Sequence, residues 1–111
     1  MIREDRPWGW FQTIDQGSDY KVKKIFVNPN SRFSLQYHNY RDEYWTVVQG
    51  SGKFTLGDES KDAVTGDNFF IPVKHYHRME ANSEGLMFIE VQRGECREDD
   101  IVRISDDYGR D

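Results

Sequence analysis

Gln36, His38, Glu43 and His77 combine residue types and spacing that suit metal chemistry. Gln36 and His38 are two residues apart, so in an extended strand their side chains share one face. Phe33, Leu35 and Tyr37 fall on the opposite face. After a polar, turn-prone stretch, a second extended run opens at Glu43. Folded back as a hairpin, the two runs bring an amide oxygen, an imidazole and a carboxylate together. His77 supplies a fourth group downstream, with His75 on the same strand face as a polar residue of the site mouth. A buried carboxylate beside two imidazoles is costly unless it is neutralised or ligated, and a divalent ion does both. This donor set suits Zn first, and also Mn, Fe, Co or Ni, with positions left for water or substrate. The competing reading is an ordinary His38–Glu43 hydrogen bond with His77 at the surface. Four groups in register favour the ion.

These side chains must be positioned by strands. Aromatic and β-branched runs cover residues 8–14, 20–27, 44–49, 53–56, 69–71, 76–80 and 86–92, and a further strand carries Gln36 and His38. Turn clusters separate them at Asp15–Asp19, Asn28–Ser31, Gly57–Ser60 and Asn82–Gly85. A tight reversal is expected at Gly50-Ser51-Gly52 and a helical turn near Glu98–Asp100. No segment has convincing helical periodicity, which predicts one all-β domain over residues 1–111, a jelly-roll barrel. An apolar content of 36% with 14% aromatics fits a thin-walled β-structure better than a helix bundle. The net charge of −5 argues against nucleic acid or an anionic membrane as partner. No apolar run reaches the length of a membrane span, and none follows the charged start Met1–Arg6, so a cytoplasmic location is expected. Cys96 is the lone cysteine and cannot form an internal disulfide.

The spacing resembles the two motifs of the cupin superfamily. Gln36, His38, Glu43 and Gly50 fill the slots of His-x-His, Glu and Gly, with Asn30 where a leading Gly is usual. Gly66, Pro72, His77 and Asn82 fit the second motif, with Lys74 in place of its inner Gly. Further stretches are similar to one cupin family in particular. They include Arg6-Pro7-Trp8-Gly9, Ser34-Leu35-Gln36-Tyr37-His38, Glu43-Tyr44-Trp45 and Asp99-Asp100-Ile101-Val102-Arg103 with Tyr108-Gly109-Arg110. Together they resemble the type II phosphomannose isomerase domain, usually the C-terminal part of a bifunctional isomerase and mannose-1-phosphate guanylyltransferase. No glycine-rich nucleotide-binding segment lies in these residues, so transferase activity is expected to be absent. Asn39, Tyr40 and Tyr44 stand where the family commonly has histidines.

The resemblance implies a metal-dependent isomerase interconverting mannose 6-phosphate and fructose 6-phosphate, with Gln36, His38, Glu43 and His77 in the metal slots. Such an enzyme moves a proton between carbons 1 and 2, so a base is needed; Glu90, Lys23 and His75 are the candidates. Arg103 is the candidate contact for phosphate or for developing negative charge. Lys21, Lys74 and His75 are the candidate substrate-binding residues. Two other functions compete: a non-catalytic sugar or sugar-phosphate binding cupin, and a metal-dependent cupin oxygenase. A homodimer is expected through the aromatic run Trp8-Gly9-Trp10-Phe11, against the alternative that these rings close the monomer's own core.

Overall fold

The computed structural model describes residues 2–110. Nine strands follow in chain order, with no helix among the described residues. They are β1 (Arg3–Arg6), β2 (Gly9–Gln16), β3 (Tyr20–Val27), β4 (Leu35–Tyr37) and β5 (Arg41–Leu56). Then come β6 (Glu59–Val64), β7 (Asn68–Ile71), β8 (His77–Gly94) and β9 (Val102–Ser105). The all-β jelly roll expected from the turn spacing is what forms.

Two long strands organise it. The first half of β5 pairs with the second half of β8, from Arg41↔Gly94 to Gly50↔Leu86, and its second half pairs with the first half of β8, from Gly52↔Ala81 to Leu56↔His77. Each long strand therefore belongs to two sheets. One sheet runs β1-β2-β3-β8-β5-β7 and the other β9-β4-β8-β5-β6. The expected reversals at Gly50–Gly52 and Asn82–Gly85 are thus bends at which a strand crosses to the facing sheet. Glycine is needed there for contact, because a Cβ on Gly52 would lie 1.9 Å from the Glu80 carbonyl oxygen. No hairpin joins the Gln36 strand to the Glu43 strand either. Gln36 pairs with His77 in β8 and with Arg103 in β9.

Alternation along the strands decides what the barrel contains. In β5, Arg41, Glu43, Trp45 and Val47 point inward, and in β8 Gln92, Glu90, Phe88 and Leu86 do the same. β3 adds Lys23, Ile25 and Val27. Register sets Lys23 beside Glu90 and Ile25 beside Phe88. The interior is therefore graded, charged at one end of the strands and apolar at the other. Trp45 sits at the boundary and joins the sheets, with ring contacts to Phe88 at 4.4 Å, Phe54 at 5.5 Å and Phe33 at 5.8 Å.

Three expectations change. Trp8 and Phe11 are buried in this core, so the rings proposed as a dimer surface close the monomer instead, while Trp10 stacks on Phe26. β1 is an extra strand that Arg3-Glu4-Asp5-Arg6 did not announce, since all four residues are exposed and carry no apolar alternation. The segment before β9 is a hydrogen-bonded turn, Asp100 N–H to the Arg97 carbonyl at 3.3 Å, with no helix.

Asn30 and Lys74, which take two glycine slots of the cupin pattern, have φ of 57° and 65°; among the described residues they are the only non-glycine positions with positive φ. The fold demands a left-handed residue at both places. A lysine there costs about 1–2 kcal/mol, partly offset by the extra flexibility a glycine would give the unfolded chain. Lys74→Gly should leave the fold as stable as before or more stable by up to about 1 kcal/mol. Gly52→Ala should instead destabilise it by at least about 2 kcal/mol, since the new Cβ meets backbone. Urea denaturation of the two variants checks these opposite signs.

Candidate metal centre

His38, Glu43 and His77 converge at the polar end of the barrel, all buried, with one potential ligand atom from each lying within 4.8 Å of the others. Three separate pieces of chain bring them there. His38 follows β4, Glu43 is the third residue of β5 and faces inward by alternation, and His77 opens β8. Gln36, directly opposite His77 in the β4–β8 pairing, lines the cavity beside them.

Hydrogen bonds fix both imidazoles in one tautomer. His38 Nδ1 lies 2.6 Å from the Asp100 carbonyl oxygen and His77 Nδ1 lies 3.0 Å from that of His75. A carbonyl only accepts, so each Nδ1 carries the proton and each Nε2 presents a lone pair. The Nε2 atoms lie 3.3 Å (His38) and 3.9 Å (His77) from the Glu43 carboxylate. His77 Nε2 is buried without a hydrogen-bond partner. Two imidazoles oriented through Nδ1 by carbonyls, with Nε2 aimed at a carboxylate, form the supporting arrangement that histidine metal ligands require. The residues present therefore fit a divalent ion.

The same network holds Glu43. Arg41 Nε donates to Oε2 at 2.8 Å, and Trp45 Nε1 donates to Oε1 at 2.9 Å. Asp100 braces the turn that carries His38, accepting from the backbone N–H groups of Asn39 and Tyr40, each at 2.9 Å.

A cavity of about 130 Å³ opens beside this centre, lined among others by Lys23, Gln36, His38, Glu90, Gln92 and Arg103. Glu90 accepts from Gln92 Nε2 at 2.7 Å, and its carboxyl is pushed up to about 7, first by burial and then by the nearby Glu43 carboxylate. Lys23 is clamped by Glu98, Nζ to the two carboxylate oxygens at 2.6 and 2.9 Å, and Lys21 reaches the same carboxylate at 3.6 Å. Arg103 lines the wall with its Nε buried and unpartnered.

Lys74 and His75 lie elsewhere, which corrects their expected place at the mouth. Both are exposed on the turn between β7 and β8, where the left-handed Lys74 carries the side chains away from the barrel; His75 Nδ1 bonds the Val73 carbonyl at 3.0 Å. The residues that motif reading overlooked are Arg41 and Gln92. Each stands two positions from a chosen carboxylate, Glu43 or Glu90, so strand alternation alone places it on the same inner face. Asp100 had no such local signal, because its contact with His38 spans 62 residues.

Residues 2–106 match the family model described as mannose-6-phosphate isomerase, C-terminal. The chain belongs to that family. Its relatives include mannose-1-phosphate guanylyltransferase 2 of Escherichia coli O157:H7, 42% identical over 107 residues that make up 93% of this chain and 22% of the relative. The xanthan biosynthesis protein XanB of Xanthomonas campestris pv. campestris (strain B100) is 43% identical over 95% of this chain and 23% of its own length. The chain thus spans less than a quarter of these curated relatives. Solved structures place the fold among the RmlC-like cupins. One is an RmlC-like cupin from Shewanella frigidimarina (TM-score 0.78, 21% identity, 88% of this chain and 86% of that one). Another is oxalate decarboxylase from Bacillus subtilis (TM-score 0.80, 19% identity, 93% of this chain and 30% of that one).

The buried histidines make the metal-free protein acid-sensitive. Burial first, then the Arg41 charge, lowers His38 from 6.5 to about 4; burial first, then His38, lowers His77 from 6.5 to about 3. Below pH 6.5 the unfolded chain takes up protons that the folded one refuses, so stability rises with pH through that range. Glu90 opposes this with one proton, since it stays protonated in the fold up to about 7 but is released at 4.5 when unfolded. Two histidines outweigh one carboxyl. The urea midpoint of chelator-treated protein should fall from pH 6.5 towards 4.5 and more steeply below, and His77→Asn should flatten the slope. Identical slopes for wild type and variant would contradict this assignment.

Proposed function

We propose that this domain is a metal-dependent isomerase interconverting mannose 6-phosphate and fructose 6-phosphate. The observation that carries the reading is a buried carboxyl, Glu90, in one cavity with His38 of the metal centre and with cationic side chains. Family membership supports mannose phosphates as the substrate class.

His38, Glu43 and His77 would hold the ion, with Gln36 as the fourth donor and Zn as the first choice. When bound, the ion supplies a Lewis acid that polarises the sugar's carbonyl and neighbouring hydroxyl oxygens. Glu90 is the proton carrier: as carboxylate it takes the proton from carbon 2 of the aldose and returns it to carbon 1, while the hydroxyl proton passes from O2 to O1. A pKa near neutrality suits both half-steps. Gln92 holds it through Nε2. Lys23 is less suited to act as base, because both carboxylate oxygens of Glu98 engage its Nζ. His75, exposed outside the cavity, is set aside as a base. Arg103 offers an unpartnered Nε to the phosphate, and charge-assisted contacts there favour the phosphorylated sugar over free mannose.

A coupled assay of Zn-loaded protein with mannose 6-phosphate tests the reading. Glu90→Gln should lower kcat by about 100-fold or more while metal content stays the same. Arg103→Ala should raise KM with the same metal content. Deuterium at carbon 2 should be partly lost to solvent. Full metal loading with no turnover of any hexose 6-phosphate would replace this reading with the non-catalytic binding one.

A further inference from the structure

Arg41 holds a place that none of the foregoing chemistry uses. Its guanidinium is buried and makes three directed contacts. Nε donates to Glu43 Oε2 at 2.8 Å, Nη1 to the Arg97 carbonyl at 2.8 Å, and Nη2 lies 3.2 Å from His38 Nε2. The third contact is the informative one. His38 Nδ1 is committed as a donor to the Asp100 carbonyl, so Nε2 has a single in-plane lone pair. A guanidinium only donates, and it occupies that lone pair. Ligation of an ion by His38 needs the same lone pair, so the two arrangements exclude each other. His77 differs, since its Nε2 has no partner.

We propose that Arg41 is a displaceable internal cation that competes with the metal ion for His38 Nε2. The inference rests on the metal-centre reading. Glu43 is 1% exposed, and its charge needs a positive neighbour at all times. Arg41 provides one before an ion arrives, so the polar end of the barrel stays folded without metal. On metal binding, Nη2 leaves His38. Nε keeps its contact with Glu43, whose oxygens have further lone pairs. Glu98, which acts electrostatically on Arg41, offers acceptor charge to the released end of the guanidinium. The device holds metal affinity below what the ligand set alone would give.

The experiment compares wild-type chain with Arg41→Met, both stripped with chelator and titrated with Zn²⁺ alone by calorimetry. The variant should bind Zn²⁺ about tenfold more tightly, the scale of one hydrogen bond between a charged donor and a buried acceptor. Metal-free, it should melt below wild type, and with Zn²⁺ the two melting points should converge. Equal or weaker binding by the variant overturns the proposal. A second measurement needs no variant, should metal-free Arg41→Met fail to fold. In ¹⁵N NMR of wild type, the Arg41 Nη2 protons should be protected from exchange without metal and lose that protection on saturation with Zn²⁺, while the Nε proton keeps it. Unchanged Nη2 signals at saturation overturn the proposal and leave the metal centre standing. A wild-type chain that takes up no Zn²⁺ removes both.

Discussion

A carboxylate buried almost completely inside a small barrel is the constraint to which the polar half of this protein answers. Glu43 could not remain charged there without donors, and the fold gives it two directed ones, Arg41 and Trp45. Both lie two residues away on the same strand face, so the strand that buries the charge also delivers its compensation. The two imidazoles are held at the carboxylate from other parts of the chain by backbone carbonyls. Removing any one of these partners would leave a polar atom in a water-poor interior, where it costs far more than it would at the surface.

The barrel tolerates such a cluster because its interior is graded along the strands. Trp45, Phe54, Phe69 and Phe88 form a block of packed rings on the apolar side, with Phe54 stacked on Phe69 at 4.2 Å. That block supplies the burial that stabilises the sheets against each other. The charged end carries the hydrogen-bond network around Glu43. Trp45 serves both regions, packing on phenylalanines with its ring and donating to Glu43 with its indole nitrogen. The two bent strands make the grading continuous, since each carries apolar and charged inward positions on a single face.

Family membership and cupin fold agree with this physical reading but act on different links of it. The match over residues 2–106 shows the family to which the chain belongs. The structural likenesses, at about a fifth sequence identity, speak to the barrel alone. The geometry speaks to the division of labour within the cavity. It separates a Lys23 clamped by Glu98 from a Glu90 held by Gln92, and an engaged His38 from an open His77.

By itself the sequence determined the all-β class and the identity of His38, Glu43 and His77 as groups that meet. These are short-range properties: period-two patterning, turn residues and motif spacing. It also marked Asn30 and Lys74 as stand-ins for glycine, and the backbone requires left-handed residues at both. What only the tertiary structure decided is which strands pair and where a strand bends. Gly50–Gly52 reads locally as a reversal, yet β5 continues into the facing sheet, because only the β8 backbone lying against it makes a bend the packed solution. Gln36 likewise meets His77 across β8, with no hairpin between β4 and β5. The Asp100–His38 contact and the approach of Arg41 to His38 Nε2 belong to the same class. The first joins residues far apart in the chain, and the second depends on the side-chain rotamers the packed barrel imposes. Neither is written in a local pattern.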